Sequence, residues 1–363
     1  MSEVNARNPL FPNDGLSSFA QSVLEAGESD FRERGWDIHG VGVRLAADHD
    51  IPLRCADRLL GVFPVVQTLR PRQIRLVLTS RRQWVVPAEA EVLPPSSHEL
   101  IDPREEYGVD PRFSRWGPIN YYAFPPMGAV AYDLARGFGV GGLVSPESHR
   151  PWLMEHLVLQ ILLLEMLRGQ DLFWLHSACV AHGGRAVLLV GPSGSGKTTS
   201  CLNLAGHGFE FLGEDRVFLR SDHAQTSLLA YPRDMAVTRE TLSLLPFLRE
   251  CVGAASFSSR KLRVAAATLF PGRREESAKP GLILFPRVVD AARTTFQPLP
   301  AAAALRRILP NSLLASHPAV SARHFQALSK LASGSRAFEV AMGRDIEAFP
   351  ELVLGVLESG AAS

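Results

Sequence analysis

Short apolar runs punctuated by glycine, proline and charge fill residues 30–92, with runs at 40–45, 60–67 and 73–78. That spacing predicts a strand-rich or mixed α+β region. Residues 94–126 break the rhythm with Pro94, Pro95, Pro103, Pro111, Pro118, Pro125 and Pro126 and with the acidic Asp102, Glu105 and Glu106. Such a composition predicts a long surface excursion or a segment between domains. The pattern changes after Pro151, where apolar positions recur at helical spacing to Leu167 and end at Gly169. This is a helix with proline in its first turn. Residues 172–182 then alternate as a strand, Gly183 and Gly184 supply a hairpin turn, and residues 186–190 form a second strand. A helix from Lys197 to about Ala205 is expected to stop at Gly206 or Gly208. Two strand pieces at 209–212 and 217–220 flank Gly213-Glu214-Asp215-Arg216. Beyond Pro232 and Arg233 the pattern predicts a helix over 238–252, a polar loop around 256–260 and an apolar strand at 282–285. The C-terminal third reads as helical, interrupted by a strand over Arg336–Met342.

Composition adds few constraints. A length of 363 residues suggests roughly two domains, and 46% hydrophobic residues are ample for a core. We place the boundary between an N-terminal α+β accessory or substrate-docking domain, 1–150, and a second domain, 151–363. A formal net charge of +1 gives no basic field for nucleic acid or an anionic membrane. The helix at 152–167 carries Glu155, His156 and Glu165 and is short for a bilayer span, so it reads as a core helix. Four scattered cysteines, Cys55, Cys179, Cys201 and Cys251, form no disulfide framework, and the N-terminus lacks a signal-peptide layout. A cytoplasmic protein is expected.

The chemistry concentrates at 191–198, Gly-Pro-Ser-Gly-Ser-Gly-Lys-Thr, a complete G-x-x-x-x-G-K-[ST] loop between a predicted strand and a predicted helix. Gly191, Gly194 and Gly196 let the backbone turn so that N–H groups, with Ser193 and Ser195 between them, face phosphate oxygens. Lys197 reaches the β- and γ-phosphates, Thr198 is placed to ligate Mg²⁺, and Thr199 lies in the first turn of a helix whose dipole favours an anion. A nucleoside triphosphate and Mg²⁺ are therefore the expected ligands.

Other loops of this type hold Mg²⁺ with an Asp at the end of a later hydrophobic strand. Here the run at 282–285 ends in Pro286 with no acid. Glu214 and Asp215, 17 and 18 residues after Lys197, are the carboxylates one helix and one strand away. They can divide phosphoryl transfer between metal binding and proton acceptance, or be a solvated turn between strands. His176, 21 residues before Lys197, shares a predicted face with Leu172, Trp174, Ala178 and Val180. It reads either as a strand histidine or as a partner of the loop. Arg233 and Lys261 are second-rank candidates to neutralise a transferred phosphoryl group; for each, a surface charge is the alternative.

The runs Leu175-His176-Ser177-Ala178, residues 191–198 and Gly208-Phe209-Glu210-Phe211-Leu212-Gly213-Glu214-Asp215-Arg216-Val217 resemble the catalytic core of the HPr kinase/phosphorylase family. They are closer to the HPr-kinase-related bacterial P-loop kinases, which include lasso-peptide precursor kinases. The resemblance covers 172–220 well and is weaker beyond. It implies an α/β P-loop kinase domain with an HPr kinase/PEP carboxykinase-like sheet topology, preceded by the smaller α+β domain. It also implies an ATP-dependent kinase acting on a serine hydroxyl of a protein or peptide, with homo-oligomers allowed. By the same carry-over His176 lies near the phosphates, Lys197 and Thr198 hold triphosphate and Mg²⁺, Glu214 is the general base, and Asp215 supports the metal or orients the acceptor. The chain departs from the family in having Glu214 where an aspartate is usual and Thr199 where an acid often follows. It also lacks the signature segment of the bifunctional enzymes, so a kinase without phosphorylase activity is expected. A small-molecule kinase and a non-catalytic ATP-binding regulatory protein are the alternatives.

Overall fold

The computed structural model describes residues 31–66, 70–81, 86–93, 109–222, 225–252, 261–312 and 317–359. Asp102, Glu105, Glu106, the polar loop at 256–260 and the side chain of Lys261 lie outside the described residues. The fold is mixed α/β, with three sheets among these residues. Contacts divide the chain into two compact units, one of 1–170 with 315–317, the other of 171–314 with 318–363.

The first unit is built on strands β1 (Arg32–Ile38), β2 (Val41–Ala47), β3 (Arg72–Thr79), β4 (Glu91–Val92), β5 (Arg112–Trp116), β6 (Ile119–Ala123), β7 (Gly128–Asp133) and β8 (Phe138–Leu143). Their order is β1-β2-β3-β8-β7-β6-β5-β4, with β2, β3 and β8 parallel to one another and the other pairings antiparallel. Helix α1 (Asp50–Leu60) connects β2 to β3. The His49 imidazole caps it by accepting from the Ile51 N–H, and Leu53, Ala56, Leu59 and Leu60 form its buried face. The apolar run from residue 60 thus begins as the end of a helix, because Leu60 completes that apolar stripe. A second helical segment is α-helical at α2 (Pro151–Leu153), π-helical at Met154–Leu159 and α-helical again at α3 (Gln160–Gly169). Gly169 ends it against the residue that follows β7, since a Cβ there would stand 2.5 Å from the Leu134 carbonyl oxygen.

The second unit contains β9 (Phe173–Leu175), β10 (Ala178–His182), β11 (Arg185–Leu189), β12 (Glu210–Gly213), β13 (Val217–Ser221), β14 (Thr226–Leu229), β15 (Met235–Thr238), β16 (Lys261–Val264), β17 (Ser277–Val288), β18 (Thr295–Leu299) and β19 (Arg336–Met342). Its helices are α4 (Lys197–Gly206), α5 (Arg239–Leu244), α6 (Phe247–Val252), α7 (Ala266–Leu269), α8 (Ala301–Ile308), α9 (Pro318–Ser333) and α10 (Phe349–Glu358). Nine strands form one sheet around the long β17, which pairs in parallel with β11 and β19 and, at its start, antiparallel with β14. Gly183 and Gly184, at φ +56° and +74°, make the tight β10–β11 hairpin that the sequence predicts. On one face Cys201, Leu202, Leu204 and Ala205 of α4 share a core with Val180, Val187, Leu189, Leu284 and Phe349.

Four local expectations are revised. Within 94–126, expected as a surface excursion or a segment between domains, residues 112–116 and 119–123 are strands β5 and β6 of the eight-stranded sheet, with Phe113, Tyr121, Tyr122 and Phe124 buried. The strand expected over 172–182 is broken at His176-Ser177, and the helix expected over 238–252 is two helices separated at Leu245-Pro246, the first capped by Thr238 at the end of β15. Pro246 cannot donate into a helix and disfavours helical backbone at Leu245, so one continuous helix does not form. Strand β18 was not expected; its exposed positions carry little of the alternation that marks a half-buried strand.

Candidate functional site

Strand register brings the candidate residues together. In the β10–β11 hairpin Ala178 lies opposite Leu189, so the residues preceding β10 sit beside the exit of β11. Gly213 of β12 pairs with Cys179, and across the gap Val217 of β13 pairs with Leu175 of β9. Two antiparallel segments therefore break at one level, at 176–177 and at 214–216. Both breaks fall where β11 opens into the glycine-rich loop. Gly213 permits the second break: a Cβ there would stand 2.4 Å from the Arg216 carbonyl oxygen.

The loop joins β11 to α4. Gly194 and Gly196 have φ of +80° and +96°, backbone that residues with a Cβ rarely adopt. Gly191 is needed for closeness, since its Cβ would stand 2.9 Å from Ser195 Oγ. That hydroxyl is buried with no hydrogen-bond partner among the described residues, whereas Ser193 is exposed. Lys197 Nζ folds back over the loop and donates to the Gly191 and Pro192 carbonyls at 2.6 and 2.9 Å. One residue on, the Thr198 hydroxyl donates to Glu214 Oε1. The Thr199 hydroxyl instead meets Thr241 Oγ1 at 3.1 Å, and Thr241 also bonds Thr238, so Thr199 ties the first turn of α4 to the start of α5.

Asp215 faces a different set of partners. Its carboxylate is 3.4 Å from His176 Nδ1 and 3.3 Å from an Arg216 nitrogen. Burial by itself raises the Asp215 pKa, but Arg216, His176, Arg233 and Lys197 together outweigh it and hold the carboxyl below its ordinary range. The side chain is nevertheless 54% exposed. Burial lowers the His176 pKa, with Arg216 and Lys197 adding to the effect and Asp215 opposing it. At neutral pH the pair is a carboxylate beside a neutral imidazole.

Arg233 belongs to this group through its field on Asp215, and its guanidinium lies over the Tyr231 ring at 5.8 Å from the centroid. For Lys261 only the backbone, in β16, is described. Arg216 was missed by sequence reasoning. Its position directly after the acidic pair is a signal, because a cation there can hold one of two adjacent carboxylates ionised. Ser177 was missed too; its hydroxyl is buried at the break with no hydrogen-bond partner among the described residues, and nothing in the alternation marks it.

The donor set suits Mg²⁺. That ion prefers hard oxygens, takes one or two from protein and keeps the remainder as phosphate and water. The Thr198 hydroxyl and Glu214 carboxylate, already in contact, are such a pair. Among the described residues no group of three or more His, Cys, Asp or Glu is arranged to hold a metal.

No protein-family model and no curated protein matches the chain. Among solved structures, the Hpr(Ser) kinase/phosphatase from Coxiella burnetii is similar at 10% identity, over 52% of this chain and 95% of that one, with a TM-score of 0.30. Likeness at that level carries no argument about chemistry. The side chains must carry it. Among the described residues no helix is long and apolar enough to cross a membrane.

Proposed function

We propose that this protein is an ATP-dependent kinase that transfers the γ-phosphoryl group to a serine hydroxyl of a protein or peptide. One observation carries the reading: the register places two separate carboxylates at the mouth of a glycine-rich loop, each with a different partner. In this reading the backbone of 191–196 and Lys197 hold the triphosphate, and Lys197 exchanges its two loop carbonyls for phosphate oxygens. Thr198 and Glu214 hold Mg²⁺, which when bound neutralises charge on the phosphates. Asp215 receives the proton of the attacking hydroxyl. His176 orients that carboxylate, and Arg216 and Arg233 keep it ionised while offering positive charge to the transferred group. The contact between Glu214 and Thr198 favours this division over the reverse assignment, in which Glu214 is the base and Asp215 binds the metal.

The serine acceptor is carried by the resemblance of 172–220 alone, and the absence of phosphorylase activity by the missing signature segment of the bifunctional enzymes. Incubation of the full chain with γ-labelled ATP tests the reading. Label on a serine of a protein or peptide supports it. Label on a metabolite identifies a small-molecule kinase, and tight ATP binding without transfer identifies a binding protein. Pyrophosphate released from phosphorylated product on adding phosphate would disprove the absence of phosphorylase activity.

A further inference from the structure

The carboxyl ends of the parallel strands β11, β17 and β19 share one edge of the sheet, where the glycine-rich loop opens. Ligands of α/β sheets occupy the crevice outside such ends. Strand β17 finishes there in Val288, which is 65% exposed. Its Cγ2 stands 3.4 Å from the point a Cβ on Gly196 would occupy, so it borders the end of the loop that leads into α4. The turn beyond it is fixed. The Val289 N–H donates to the Met342 carbonyl at 3.0 Å and the Arg344 N–H to the Ala291 carbonyl at 2.9 Å. The backbone N–H and hydroxyl of Thr294 both donate to Asp345 Oδ1, at 2.8 and 2.7 Å. An exposed valine on an anchored turn is a preformed apolar ledge, and little ordering is needed to use it.

A triphosphate held in the loop must carry its nucleoside past one end of that loop. We propose that the purine base of the bound nucleotide packs its face on Val288. This rests on the triphosphate reading of the loop and extends it to the nucleoside. The surface beside the ledge carries both signs of charge, with Arg287 65% exposed and Asp290 paired to Arg344 at 3.7 Å. Val288 therefore supplies apolar contact to the base face with no hydrogen bond to its edge. It raises affinity for nucleotide over bare polyphosphate and contributes little to choosing adenine over guanine.

The test is calorimetric titration of the full chain, in Mg²⁺, with ATP and with inorganic tripolyphosphate as the probe lacking a base. Val288→Asn adds no charge and alters an exposed side chain. It is expected to raise the ATP Kd about five- to tenfold, the loss of a partly buried apolar contact, and to leave the tripolyphosphate Kd within about twofold. Val288→Phe is expected to tighten ATP alone. An unchanged ATP Kd in both variants overturns the ledge, as does an equal shift for the two ligands, which would mark a disturbed loop. A wild-type chain that binds neither ligand overturns the triphosphate reading itself, a different failure.

Discussion

Glu214 and Asp215 are adjacent in sequence yet meet different partners, and substitutions can separate their roles. With Asp215 as proton acceptor, Asp215→Asn should lower the transfer rate about 10²- to 10⁴-fold while ATP binding persists. Glu214→Gln should instead raise the Mg²⁺ concentration needed for half-maximal rate. Both are read from rates over a Mg²⁺ titration, and an unaltered Mg²⁺ dependence in Glu214→Gln would reverse the assignment. Lys197→Ala should weaken triphosphate binding, measured by the same calorimetry. His176 adds a pH signature. Its pKa in the folded chain lies below the ordinary 6.5, so as pH falls the unfolded chain takes up the proton first. That part of the stability is present above 6.5 and is lost as pH falls toward the folded value. Urea unfolding at pH 7.5 and about 5.5 should show a larger loss for wild type than for His176→Asn. Equal losses would mean that the imidazole does not titrate differently on folding.

At the scale of elements, the placement of both acids depends on how β12 ends. Gly213→Ala sets a methyl 2.4 Å from a backbone oxygen, which cannot swing aside as a side chain could. Overpacking of that kind costs about 1–3 kcal/mol, or roughly 2–4 °C of Tm per kcal/mol in a unit of this size. A thermal melt checks the stability, and transfer should fall by more than the melt explains because Glu214 and Asp215 are displaced. The loop, α4, β12 and β13 were legible because glycines and apolar runs mark their ends locally. The break at His176-Ser177 was not. Leu172, Trp174, Ala178 and Val180 keep strand alternation through it, and only the pairing of β9 with β13 and of β10 with β12 forces the chain to part there. The same limit hid which acid meets Thr198, since spacing along the chain brings both to one place and side-chain direction then separates them.

For the whole molecule, the boundary between its two units depends on where the helical segment 151–169 belongs. A boundary at 150, drawn from the proline-rich stretch and the renewed apolar pattern after Pro151, gives that segment to the second unit. Its contacts argue otherwise. Tyr122 Oη donates to the Leu157 carbonyl at 2.6 Å, Arg58 Nε pairs with Glu155 at 2.8 Å, and the π-helical turn packs on α1. Met154, Val158, Leu159, Leu162, Leu163, Met166 and Leu167 are all buried. At about 1.5–3 kcal/mol for each large apolar side chain, their contribution rivals the 5–15 kcal/mol that holds a typical domain folded. A fragment of residues 1–170 should therefore elute as a compact species and melt cooperatively, whereas 1–150 should aggregate with its apolar surface uncovered. Size-exclusion chromatography and thermal melts of the two fragments decide it. If 1–150 folds as well as 1–170, the segment belongs with the second unit, and a kinase fragment should then begin at Pro151 instead of Asp171.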